Sequence, residues 1–164
     1  MKPEKCRIVA LFILLMAGMV HADDYSATIT VTVTATNPPC VINNNQIIDV
    51  DFGQNVVVTD VAAGTVEKPV PYTLDCGNLD PSKSLKMRIT GNSAGFDNAL
   101  LQTNIPELGI KLNANGVEFP LNTDLLFSSS EEKPYLSAAL VQQPGYRLPV
   151  GEFSAGATMT VDYQ

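Results

Sequence analysis

Residues 25–35 alternate without interruption between two rows of side chains, and the chain then runs into Pro38 and Pro39. One row is Ser26, Thr28, Thr30, Thr32 and Thr34; the other is Ala27, Ile29, Val31, Val33 and Ala35. A period of two, with β-branched residues on both faces, specifies a one-faced strand. Proline has no N–H to continue a ladder, so Pro38 and Pro39 divide this strand from the body of the chain. The apolar row must be covered. The pattern leaves two outcomes open: the strand pairs within its own domain, or a partner covers it.

The segment before the strand is of another kind. Lys2, Lys5 and Arg7 form a basic start, Ile8–Val20 is apolar, and Val20-His21-Ala22 is a small-residue cleavage site. Residues 1–22 are therefore expected to be a secretory signal peptide, too short and wrongly flanked for a transmembrane helix. The remaining chain has the size of one domain with a proper core. The full sequence carries a net charge of −7, and losing the basic segment leaves the rest more acidic still. Such a balance argues against a nucleic-acid partner, which would need a basic stripe. Of three cysteines, Cys6 departs with the signal, leaving Cys40 and Cys76. Two cysteines in an exported chain are expected to pair, and a loop of this length contributes about 4 kcal/mol.

Beyond Cys40 no long amphipathic pattern occurs. Short alternations separated by Pro, Gly and Asn predict strands at 46–53, 55–61, 70–76, 84–91, 135–142 and 152–164. Residues 107–121 predict a hairpin turning at Asn115-Gly116. About eight short strands argue for an antiparallel sandwich. The last segment places Phe153, Ala155, Ala157, Met159, Val161 and Tyr163 on one face.

No catalytic constellation emerges. Asp51-Phe52-Gly53 spells a kinase metal-binding tripeptide, but none of the accompanying kinase elements is present. Asp49 and Asp51 share one strand face and read as solvated surface. The stretch "TGNSAG" (90–95) lacks the ending of a phosphate loop, and Glu131-Glu132-Lys133 reads as a solvated loop. The single histidine, His21, lies in the signal segment. With both remaining cysteines paired, the usual nucleophile–base pairs cannot be built. No enzyme activity, cofactor, metal site or small-molecule substrate is expected.

"PPCVINNNQIIDVDFG" around Cys40, "VPYTLDC" bringing Cys76, and "LGIKL" resemble the pilin subunits of chaperone–usher fimbriae. So does the C-terminal spacing of Gly151 and the penultimate Tyr163, with alternating apolar residues between them. The resemblance spans the chain beyond the signal, and the chain is similar in particular to the minor adaptor pilins of P-type and type 1 pili. The resemblance implies an immunoglobulin-like sandwich lacking its last strand over residues 38–164, with residues 23–37 as a donor-strand extension. It further implies a periplasmic chaperone, an outer-membrane usher and neighbouring pilin subunits as partners, and export through the periplasm to a cell-surface fimbrium. Gly151, Phe153, Ala157, Met159, Val161 and Tyr163 would meet the chaperone's inserted strand. Ala27, Ile29, Val31, Val33 and Ala35 would enter a neighbour's groove by strand addition.

Extended, residues 25–35 reach about 36 Å, enough to line a sandwich groove. Burying Ile29, Val31 and Val33 would contribute on the order of 5–8 kcal/mol. Val33 stands where the family usually has a glycine. The alternative in another functional class is a free secreted immunoglobulin-like binding module, lectin- or inhibitor-like, which has no use for a detached donor strand.

Overall fold

The computed structural model describes residues 40–77 and 83–164; the signal segment, the extension through Ala35 and the two prolines lie outside them. Eleven strands and one short α-helix are found among the described residues: β1 (Val41–Ile42), α1 (Val58–Ala62), β2 (Glu67–Pro69), β3 (Leu74–Asp75), β4 (Leu85–Thr90), β5 (Ser93–Ala94), β6 (Asp97–Gln102), β7 (Leu108–Ala114), β8 (Val117–Glu118), β9 (Asp124–Phe127), β10 (Leu136–Gln142) and β11 (Thr158–Tyr163). One sheet runs β2-β10-β7-β6-β5, with β8 added beside β7, and a second runs β11-β4-β9. A small pair, β1-β3, completes the set, and every pairing is antiparallel.

Alternation explains how the two main sheets close on each other. In β4, Leu85, Met87 and Ile89 point inward and are buried. On β10 and β7, Leu136, Ala138 and Leu140 meet Ile110 and Leu112 in the same core. Val161 of β11 joins them, opposite Met87. The hairpin at Asn115-Gly116 is present, with φ of 52° and 79°. Both values lie where a type I′ turn requires them, which is why Asn-Gly suits the site.

Several predicted strands differ from the structure. Residues 46–53 form no ladder among the described residues. Their alternation still sorts the faces: Ile48, Val50 and Phe52 pack against the core while Ile47, Asp49 and Asp51 are exposed. Residues 55–61 lead into α1 instead of a strand, because Val58 and Val61 reach the core at helical spacing. Of 70–76 only Leu74–Asp75 is strand, and the ladder of the last segment begins at Thr158.

The structure joins Cys40 to Cys76, at the ends of β1 and β3. Just beyond, Asn43, Asn44 and Asn45 all have positive φ, 47°, 51° and 59°. Asparagine tolerates this region because its short amide bonds locally. Here the Asn43 side-chain amide donates to the carbonyls of Gln46 and Ile47, at 3.2 and 3.1 Å. That turn swings the chain from β1 into the strap 46–52.

Opposite, Tyr72 is buried, and its hydroxyl donates to the Pro134 carbonyl at 2.6 Å. Burial pushes its phenol up to about 12 from an ordinary 10.0. As pH rises past 10 the unfolded chain ionises at this residue while the folded chain stays neutral, so the phenol's contribution is lost between 10 and 12. Tyr72→Phe should cost about 1 kcal/mol at neutral pH through the missing hydrogen bond. The gap between wild type and variant should then narrow as pH rises through that window. Urea midpoints at neutral and alkaline pH check this, and a constant gap would contradict it.

Candidate functional site

The strap 46–52 and β11 face one another across an open groove of about 880 Å³. Among the described residues β11 is hydrogen-bonded to β4 on one side only, so there its other edge offers unpaired backbone groups. The strap contributes Ile48, Val50 and Phe52 to one wall, and β11 with its approach contributes Phe153, Ala157, Met159 and Val161 to the other. Ile89, Leu101, Ile110, Leu112 and Ala138 form the floor, so the groove opens onto the core itself. At one end the walls meet, where the rings of Phe52 and Phe153 lie 5.7 Å apart and tilted by 56°. At the other lies Cys40 of the disulfide.

An apolar trough bounded by an unpaired strand edge is built to take one more strand. Inserted there, a strand would add to the ladder of β11 and cover the half-buried wall residues Ile48, Val50, Phe52, Phe153 and Met159. Charged groups are sparse along it: among the lining residues only Asp49 and Asp162 carry charge. The described ion pairs lie away from the trough, where Asp124 of β9 meets Arg88 of β4 at 2.6 Å and Lys86 at 4.0 Å. The hydrogen bond from Arg88 holds the Asp124 carboxyl below its ordinary value.

The structure brings four of the six C-terminal candidates, Phe153, Ala157, Met159 and Val161, to the groove wall. Gly151 is exposed and does not line it. Tyr163 turns its half-buried ring aside, and its hydroxyl donates to the Cys76 carbonyl at 2.6 Å. Ala27, Ile29, Val31, Val33 and Ala35 lie outside the described residues. The strap's role as a groove wall is not evident from the sequence. Its signal is the alternation Ile48, Val50, Phe52, which resembles an ordinary strand when no partner is in view.

The model of the fimbrial protein family matches residues 27–164. The chain belongs to that family. This fimbrial subunit is 32% identical over 152 residues to the fimbrial-like protein YfcQ of Escherichia coli (strain K12), covering 90% of the chain and 93% of the relative. It is 41% identical over 87 residues to the fimbrial adapter PapF of Escherichia coli, covering 51% and 50%. The solved structure of the P pilus adaptor subunit PapF superposes with a TM-score of 0.58 at 30% identity, covering 79% of this chain and 98% of that one. The fold is thus the immunoglobulin-like pilin fold. The fimbrial subunit is a structural component of a chaperone–usher pilus, which places it in a cell-surface fimbrium beside other pilins.

Proposed function

We propose that this chain is a minor, adaptor-type pilin that both accepts and donates a strand. The observation that carries the reading is the apolar groove between the strap and the edge of β11 that is unpaired among the described residues, floored by core side chains. In the periplasm a chaperone strand fills it, shielding the half-buried Phe153 and Met159 from water. At the outer-membrane usher the extension of a neighbouring subunit takes its place. Residues 25–35 of this chain do the same for another neighbour. The adaptor role is supported by the likeness to PapF in both sequence and structure.

Donation has a sided consequence. If residues 25–35 insert as a strand, one row faces the acceptor's core and the other faces water. Ile29→Asp or Val31→Asp would bring a carboxylate into an apolar trough at a cost of several kcal/mol. Thr30→Asp, on the other row, should be mild. Transfer of the extension peptide onto a chaperone-bound neighbour, followed on native gels, distinguishes the rows. Equal tolerance of charge on both would refute strand donation by this segment.

A further inference from the structure

The groove has outward rims as well as an apolar floor, and those rims carry charge of one sign. On the strap the outward residues are Ile47, Asp49 and Asp51; on β11 they are Thr158, Thr160 and Asp162. Asp51 accepts the Gly53 N–H at 2.7 Å and is engaged in its own turn. Asp49 and Asp162 make no ion pair among the described residues. Lys86 stands opposite Asp162 in the register of β4, and Arg88 opposite Thr160, yet both cations lie against Asp124 on the far side. Among the described residues, no Lys or Arg lines the groove.

A strand lying between the strap and β11 would have these rims as its lateral neighbours. Directly opposed side chains on one sheet face come within about 5 Å, where opposite charges attract and like charges repel. Resting on the reading of the groove as a strand acceptor, we propose that it selects its occupant by charge. The preferred donor is a neighbour's strand whose inward row is apolar and whose outward row carries Lys or Arg. Asp49 and Asp162 are the residues that read this row. The chain's own extension, with Ser26, Thr28, Thr30, Thr32 and Thr34 outward, supplies no such charge. A heterologous neighbour is therefore favoured over a second copy.

The test uses the full chain in complex with a periplasmic pilus chaperone and synthetic peptides of residues 25–35. One peptide is unaltered, one carries Thr30→Lys and Thr32→Lys, and one carries Thr30→Glu and Thr32→Glu. Each is made with Val33 and with Val33→Gly, so that a crowded pocket does not mask insertion. The rate of chaperone displacement is read at low and high salt. The lysine peptide should insert about fivefold faster than the glutamate peptide at low salt, with the unaltered one between them. High salt should compress the difference, and Asp49→Asn with Asp162→Asn should collapse it. Equal rates, or a faster glutamate peptide, would overturn the charge selection while leaving strand acceptance standing. If no peptide inserts in either form, strand acceptance itself fails, and this inference falls with it.

Discussion

Val161→Asp is expected to destabilise the folded chain by roughly 3–5 kcal/mol, a large share of the stability of a domain this size. Val161 is 2% exposed, lies opposite the fully buried Met87, and belongs both to the core and to the groove wall. Among the described residues a carboxylate there has no cation within its layer: Lys86 and Arg88 are on the other face of the sheet, turned to Asp124. It must either stay charged in apolar surroundings or take up a proton. The control is one residue away. Thr160 is exposed and stands opposite Arg88, so Thr160→Asp should change stability by no more than about 0.5 kcal/mol. Urea unfolding of the two variants measures the contrast. Similar losses at both positions would mean that β11 is not seated as described.

The same alternation separates the legible from the illegible along the whole chain. Faces can be read in the sequence and ladders cannot. Alternation sorts Ile48, Val50 and Phe52 from Ile47, Asp49 and Asp51 correctly, because burial of side chains has the same period whether or not the backbone is paired. Whether such a segment becomes a strand depends on a neighbour, and the strap's open side has none among the described residues. In α1 and its approach three consecutive valines favour a strand, but placing Val58 and Val61 in the core outweighs that preference.

Five strands escape the sequence pattern, among them β1, which is only two residues long; the other four each have a local reason. In β6, Leu100 and Leu101 are both buried, so the alternation vanishes. β2 contains Pro69 and is an edge strand. β5 has two residues, and β9 has four with Leu125-Leu126 adjacent. The groove is legible only through the family resemblance, since a trough is a relation between segments distant in sequence. Its aromatic closure by Phe52 and Phe153 has no sequence signal at all.

Removing the disulfide, by Cys40→Ala together with Cys76→Ala, is expected to lower stability by about 4 kcal/mol through the freed loop between the two positions. Local architecture makes the loss more than a denatured-state effect. β1 and β3 pair over two residues each, Val41 with Asp75 and Ile42 with Leu74, too short a ladder to persist unaided. Among the described residues further ties are core packing and two hydrogen bonds, the Asn43 N–H to the Thr73 carbonyl at 2.9 Å and the Tyr163 hydroxyl to the Cys76 carbonyl at 2.6 Å. All of them hold one end of the groove, where the strap leaves β1. Without the sulfur bridge the strap should separate from the β11 wall before the main sheets open. The melting temperature should fall by about 10 °C or more. Amide exchange should rise first in residues 41–52 and 73–76, while β7 and β10 keep their protection. A variant that melts at the wild-type temperature, or that loses protection uniformly, would show that the bridge is not what fixes this wall of the groove.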